Sequence, residues 1–205
     1  MYRTNLRASA YIFLRSAATC GAVLAAAVYG AVPGAAAEIF GTPYLIAGDY
    51  TAASQLTDVN GTLFFNGTQL GVTGRELWTS NGTTAELVKD INTGSNNGSP
   101  GNFTIFDNAL FFSAGSTTGQ SQLWTSDGTE AGTVLVKAIN PSGSSSISSV
   151  RVVDGMLLFA ATDGVNGTEL WKSDGTGAGT NMVKDINVLP SASSSSNPSN
   201  FAVVG

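Results

Sequence analysis

Histidine is absent from this chain of 205 residues, and cysteine occurs once, at Cys20. These two absences exclude the Ser-His-Asp and Cys-His catalytic arrangements, zinc sites that need histidine, and disulfide bonds within the chain. Charged side chains are also scarce, at 11% of the residues. The chemistry left for a functional site is therefore that of carboxylates, amides and hydroxyls.

Basic side chains are few and unevenly placed. The whole chain has a net charge of −5, and three of its arginines lie in residues 1–37, which contain no acidic residue. Residues 38–205 therefore carry a net charge of −8. Such an acidic chain repels phosphate backbones, so we do not expect nucleic acid as a partner.

Residues 1–37 have the three-part pattern of a secretory signal peptide. Arginines precede an alanine-rich apolar run over residues 17–32, a Pro-Gly pair ends the run, and Ala35–Ala37 provide the small residues that a signal peptidase reads. We expect cleavage before Glu38, a secreted or cell-surface location, and no membrane span in the mature chain. The alternative is a retained membrane anchor, although the apolar run is short of the ~20 residues that a spanning helix needs.

Three tryptophans set the register of a tandem repeat. Trp78, Trp124 and Trp171 are spaced 46 and 47 residues apart. Each follows a leucine and precedes Ser-Asp-Gly-Thr or Ser-Asn-Gly-Thr, and each copy continues to a Val-Lys-x-Ile-Asn segment. Upstream, each copy has an Asn-Gly, Asp-Asn or Asp-Gly pair, which favours the positive φ of a tight hairpin turn. Each copy thus predicts four short antiparallel strands, here named a to d.

The fold class that we predict is all-β, a partial β-propeller of about three four-stranded antiparallel blades plus stray terminal strands. In the third copy the predicted strands are 149–153, 156–161, 168–173 and 181–186. Four antiparallel strands in a unit of this length match one propeller blade. A β-solenoid is the alternative and ranks second, because it needs shorter coils and no hairpins. The predicted blades, with the start of a fourth, span about 54–92, 101–140, 147–187 and 198–205.

The two ends of residues 38–205 hold the stray strands. Residues 43–47 are similar to a strand d, and residues 201–205 match residues 150–154 at the start of the third copy. Propellers have about four to eight blades. We therefore expect an open arc with exposed apolar faces, which further repeats or a second chain would have to cover.

The repeated motif resembles a known family. Glu76-Leu77-Trp78 and Glu169-Leu170-Trp171, with the Ser-Asp-Gly-Thr or related sequence that follows them, are similar to the ELWxxDGT repeats of bacterial secreted proteins. The similarity covers roughly residues 44–205, with Asn81 in place of Asp in the first copy and Gln122 in place of Glu in the second. The resemblance implies an exported, propeller-like protein and no established activity.

Asp163, Asn166 and Glu169 are the candidate metal ligands. They gather oxygen atoms, which calcium prefers, in one short segment, although their spacing does not match an EF-hand loop. The alternative is a loop between strands b and c that is stabilised by Asx turns. No other cofactor is expected.

The other repeated residues have a functional and a structural interpretation. The tryptophans are either a sugar-stacking platform or packing residues between blades, and Asp127 and Asp174 are either calcium or catalytic carboxylates or turn residues. We favour the structural interpretation for both, because each recurs in every copy whereas a catalytic residue is needed once.

Composition and repetition together predict an exported, non-enzymatic repeat protein. It would act as a binding or surface-display scaffold for an unknown protein or glycan. The alternative is part of a secreted propeller enzyme acting on polysaccharide, with Asp163 and Glu169 as its two carboxylates.

Overall fold

The computed structural model describes residues 11–14, 24–27, 44–46, 50–69, 71–81, 84–117, 119–188 and 194–202. Within these ranges the protein is all-β and contains no helix. Only two short strands, at residues 11–14 and 24–27, are described before residue 38; the rest of the predicted signal peptide, with its cleavage site, lies outside the described residues. In the same ranges no helix is long and apolar enough to cross a membrane.

A small sheet precedes the repeat. Its strands are β1 (Tyr11–Leu14), β2 (Leu24–Ala27) and β3 (Tyr44–Ile46), in the order β2-β1-β3. A strand was predicted at residues 43–47 as a stray strand d. The observed β3 lies there, but it pairs in parallel with β1 instead of joining a repeat sheet.

Three four-stranded antiparallel sheets form the repeat region, and in each the strands pair in chain order. The first sheet contains β4 (Tyr50–Val59), β5 (Thr62–Gln69), β6 (Arg75–Ser80) and β7 (Ala85–Lys89). The second contains β8 (Gly101–Phe106), β9 (Ala109–Ala114), β10 (Gln122–Ser126) and β11 (Val134–Lys137). The third contains β12 (Ser148–Val153), β13 (Met156–Thr162), β14 (Thr168–Ser173) and β15 (Asn181–Lys184). The prediction of four antiparallel strands per copy is confirmed, and we call each sheet with its loops a unit.

Two-residue turns join strands a and b in every unit. At Asp154 and Gly155 the φ angles are 47° and 72°, and the equivalent pairs in the other units also have positive φ. Turns with two positive φ angles match the right-handed twist of the strands that they connect. The predicted hairpins are therefore present.

Side chains alternate along a strand, so each sheet has two faces. In these sheets both faces carry apolar residues. The tryptophan face of the three sheets contains, in chain order, Leu63, Phe65 and Trp78; Leu110, Phe112 and Trp124; and Leu157, Phe159 and Trp171. The opposite face, which we call the isoleucine face, contains Phe64, Leu77, Val88 and Ile91; Phe111, Leu123, Val136 and Ile139; and Leu158, Leu170, Val183 and Ile186.

The sheets stack face to face. The tryptophan face of the second sheet packs on the isoleucine face of the first, and the third sheet packs on the second in the same way. The first strands of neighbouring sheets are also in contact, β4 with β8 and β8 with β12. The described strands form neither a closed barrel nor a solenoid.

Candidate functional site

One end of the stacked sheets is made of two kinds of loop. The b–c loops join the second and third strands of a unit, and the d–a linkers join one unit to the next. In the second unit, Ser145 N–H donates to Ser121 O at 2.8 Å. In the third, Thr168 N–H donates to Ser195 Oγ at 2.8 Å. Both loop types therefore share one surface, which we call the loop end.

A fully buried glutamate lies beneath the loop end in the first unit. Glu76 Oε2 accepts the N–H of Ile91 at 2.9 Å, and Oε1 accepts the N–H of Gly98 at 2.5 Å. Ile91 and Gly98 lie near the two ends of the first d–a linker. One carboxylate thus holds both ends of that linker against β6.

Gln122 occupies the same position in the second unit with different bonding. Its Nε2 donates to the carbonyl oxygens of Asn140 and Gly143, both at 2.7 Å, and its Oε1 accepts the N–H of Asn140 at 3.1 Å. An amide both donates and accepts, whereas an ionised carboxylate only accepts. The replacement of glutamate by glutamine is therefore matched by a linker that presents carbonyl groups.

Glu169 completes the set in the third unit and is also fully buried. Its Oε1 accepts the N–H of Ser196 at 2.9 Å, and its Oε2 accepts the N–H of Ile186 at 3.0 Å and the hydroxyl of Ser196 at 2.6 Å. We call Glu76, Gln122 and Glu169 the linker clamps. They fix the d–a linkers, and with them the loop end, to the sheets.

The two glutamate clamps differ in their ionisation. Burial raises the pKa of Glu76 to about 7, although hydrogen bonds from the Gly98, Ile91 and Asn92 N–H groups lower it, and the charge of Asp90 raises it further. Burial also acts to raise the pKa of Glu169, but its hydrogen bonds outweigh burial and leave that pKa below the ordinary value. Near pH 7, Glu76 is therefore partly protonated and Glu169 is ionised.

The three predicted calcium ligands have different partners. Asp163 Oδ1 accepts the N–H groups of Val165 and Asn166, both at 2.8 Å, and its Oδ2 accepts from Asn166 Nδ2 at 2.8 Å. Partial burial raises the pKa of Asp163, but these bonds hold it below its ordinary value. Asp163 and Asn166 thus form the Asx turn that was the alternative interpretation, while Glu169 clamps the linker.

The described part of the chain contains no group of three or more His, Cys, Asp and Glu side chains placed to hold a metal ion. Calcium binding by Asp163, Asn166 and Glu169 stays a prediction. It would require Glu169 to exchange backbone donors for the ion.

Asp127 and Asp174 form the c–d loops at the other end of the sheets. The Oδ1 of Asp127 accepts the hydroxyl and the N–H of Thr129 at 2.7 and 2.8 Å, and Asp174 binds its threonine in the same way. These bonds, led by the threonine hydroxyl, lower the pKa of both aspartates. A Cβ added at Gly132 would lie 2.1 Å from Asp127 Oδ1, so a larger residue there would displace the carboxylate from Thr129. The prediction that these residues form structural turns is confirmed.

The tryptophans are buried packing residues. Trp124 and Trp171 belong to the two cores between sheets, and Trp124 Nε1 donates to Ala114 O at 3.0 Å. The indole N–H of Trp171 is buried and has no hydrogen-bond partner among the described residues. A ring enclosed between sheets offers no open face for sugar stacking, which confirms the packing interpretation for Trp124 and Trp171. Trp78 is also buried, but its cluster contains residues of the first sheet alone.

Valines form the exposed tips of the loop end. Val72 and Val165 are 61% and 60% exposed, and each is the second residue of a Gly-Val-x-Gly sequence in a b–c loop. Exposed serine, threonine and asparagine side chains lie in the adjacent linkers. The loop end thus offers hydrogen-bonding groups and small apolar contacts.

The clamp role of Glu76 and Gln122 was not predicted from the sequence. The available signal is that Glu or Gln stands two residues before every tryptophan, once per unit. Their partners are distant in sequence, however, and only the fold brings them together.

Comparison of the chain with protein-family models, with curated proteins and with solved structures finds no match. The function must therefore be argued from the geometry of the loop end.

Proposed function

We propose that the protein is an exported, non-enzymatic scaffold of propeller blades that binds a protein or a glycan through its loop end. The observation that carries this proposal is the clamping of every d–a linker by Glu76, Gln122 or Glu169. Loops that are fixed to a sheet frame are preorganised, so they lose little conformational freedom when a ligand binds.

The stacking of the sheets supports a propeller arrangement. Strands pair in the order a to d within each sheet, and the first strands of neighbouring sheets are in contact. In a propeller the first strands converge near the axis and the sheets diverge outward. Three units would then form an arc of such a ring.

The state of the carboxylates favours binding over catalysis. A general acid must come within hydrogen-bond distance of the substrate. Glu76 and Glu169 are fully buried and bonded to linker backbone, and Asp163 is bonded within its own loop. These groups therefore support the frame instead of facing a ligand.

Binding can be tested on glycan arrays and on immobilised polysaccharides. We expect the double variant Val72→Ser/Val165→Ser to lose ligand binding, because it changes both apolar loop tips. The matched control is Val134→Ser, which changes a 46% exposed valine in β11, next to a c–d loop.

Equal loss of binding in the control and the double variant would contradict a role for the loop end. Release of reducing sugar that Asp163→Asn abolishes would favour the alternative function, a polysaccharide-degrading enzyme.

Export has a separate test. Mass spectrometry of protein collected outside the producing cells should find Glu38 as the first residue. Peptides that contain Arg15 or Cys20 in that material would show that the leader is retained.

The predicted calcium site can be tested by thermal unfolding. We expect calcium to raise the unfolding temperature of the wild type and to leave Asp163→Asn unchanged. An identical response in both proteins, including none, would remove Asp163 from the list of ligands.

A further inference from the structure

The isoleucine face changes surroundings from unit to unit. In the first sheet Val88 and Ile91 are 4% and 5% exposed, because the second sheet covers them. The equivalent residues of the third sheet, Val183 and Ile186, are 47% and 52% exposed. In the units before it, the equivalent apolar residues form the contact between sheets. In the third unit these residues are exposed.

A lysine adds a polar contact at both existing junctions. Lys89 Nζ donates to the carbonyl oxygen of Glu130 in the next c–d loop at 3.2 Å. Lys137 Nζ donates to that of Thr180 in the following c–d loop at 2.6 Å. Lys184 is the equivalent residue of the third unit. It is exposed, and no described residue accepts a hydrogen bond from it.

The c–d loops of the second and third units also cover an aromatic ring of the preceding unit. A Cβ added at Gly128 would lie 3.3 Å from the Phe64 ring, and one at Gly175 would lie 3.2 Å from the Phe111 ring. Leu158 takes the equivalent position in the third unit and is only half-buried. The third isoleucine face therefore has the apolar residues and the lysine of the junction, with Leu158 in place of the phenylalanine, but no described unit is docked on it.

After the third unit, the backbone has the same conformation as at the start of the second unit. Ser99 and Asn102, which begin the second unit, have φ angles of 49° and 56°. Asn197 and Asn200 have φ angles of 47° and 56°, and phenylalanine follows Asn200 as it follows Asn102. Residues 197–202 thus repeat the conformation by which the second unit is joined to the first.

We propose that the third isoleucine face, with Lys184, docks a fourth unit of the same type, attached through residues 197–202. The docking unit must present a Leu-Phe-Trp face to Val183 and Ile186. Its c–d loop must offer a backbone carbonyl to Lys184. Both requirements are met at the two junctions already described, and they do not depend on which ligand the loop end binds.

A second copy of the chain does not meet the first requirement. The tryptophan faces of its second and third sheets are packed in its own junctions, and that of its first sheet is buried as well. The two faces packed in its own junctions cannot cover the third isoleucine face of a neighbour, and its first tryptophan face could do so only if Leu63, Phe65 and Trp78 became exposed.

The experiment extends the full chain by one unit. Residues 105–140 are joined after Ala202, because residues 197–202 correspond to residues 99–104. In a Cys20→Ser background, Val183→Cys is introduced into the original and the extended chains, and the rate of thiol labelling is measured. We expect rapid labelling in the original chain and, in the extended chain, labelling as slow as that of Val88→Cys.

A second extension, built from residues 152–187, repeats the measurement with a different docking sheet. Thiol labelling at residue 183 that stays rapid in both extended chains would overturn the proposal. A Lys184→Met change should destabilise the extended chains as Lys137→Met does and leave the original chain unaffected.

Sedimentation of the original chain tests the alternative that a second copy of the chain covers the third isoleucine face. A concentration-dependent dimer that Val183→Asp abolishes would identify a second copy as the occupant and would also overturn the proposal.

Discussion

The isoleucine faces of the second and third units contain similar residues in different environments. Ile139 is buried in the core between the second and third sheets, whereas the side chain of Ile186 is exposed. Both follow a Val-Lys sequence at the end of a sheet. The comparison shows that the contribution of a repeated residue depends on its neighbouring unit, because apolar burial stabilises only where water is removed.

The largest expected effect is the difference in stability between alanine substitutions at Ile139 and at Ile186. Ile139→Ala should lower the free energy of unfolding by about 2–5 kcal/mol, because it leaves a cavity between two sheets. Ile186→Ala should change it by less than about 0.5 kcal/mol, since that side chain is exposed. Guanidinium unfolding followed by tryptophan fluorescence measures both. Equal losses would mean that the third face is covered in solution.

The next largest expected effect is the pH dependence of stability, which should differ between the linker clamps of the first and third units. The folded pKa of Glu76, about 7, lies above its ordinary value of 4.5, so the folded protein binds this proton more tightly than the unfolded chain does. Stability from Glu76 is complete below pH 4.5 and is lost as pH rises through 7. We expect a loss of about 3 kcal/mol between these limits.

At Glu169 the sign is reversed. Its lowered pKa means that its contribution is present above the ordinary pKa and is lost as pH falls through the folded pKa. Unfolding measured from pH 4 to 8 should therefore show the difference between Glu76→Gln and the wild type growing above pH 5, whereas the destabilisation by Glu169→Gln should be largest at neutral pH and shrink toward the acid end. Identical pH profiles for the two variants would contradict the assignment.

A smaller effect compares the tryptophans of the second and third units. Trp124→Phe removes the N–H that donates to Ala114 O, and the loss of this buried hydrogen bond should cost about 1 kcal/mol. Trp171→Phe removes an N–H that has no partner in the described part of the chain and makes a similar change in ring volume. The difference between the losses of unfolding free energy in the two variants gives the contribution of the Trp124 hydrogen bond to stability. A Trp171 variant that is as destabilised as the Trp124 variant would argue against it.

The smallest effect concerns the c–d loops. Asp127→Asn should change stability by less than about 0.5 kcal/mol, because Asn81 accepts the N–H of Thr84 at 3.0 Å in the corresponding loop of the first unit. Asp127→Ala should cost about 1 kcal/mol, since two hydrogen bonds are lost. Thermal unfolding can separate the two. A large effect of Asp127→Asn would indicate that the charge itself is needed.

Local sequence signals predicted the strands well. Strand c of the third unit was predicted at residues 168–173 and is observed there, because a glycine-containing loop bounds it on each side. Strand d was predicted at residues 181–186 but ends at Lys184. The reason is not local: the N–H of Ile186 donates to Glu169 instead of extending the ladder.

The loop end was less predictable than the strands. The roles of Asp127 and Asp174 followed from short-range turn chemistry. The clamp function of Glu76 depends on Gly98, which lies 22 residues further along the chain. Pairing partners such as that of β3 are equally non-local, so a single sequence does not determine them.

The paired left-handed residues that begin the second and third units, and that recur at residues 197 and 200, have an evolutionary consequence. Ser146 and Ser149 have φ angles of 48° and 55°, within a few degrees of the pairs at the starts of the second unit and of residues 197–202. A genetic crossover at these positions would join any unit to any other without changing the backbone at the seam. Gain and loss of whole units by recombination is therefore the route by which we expect the number of units in such proteins to change.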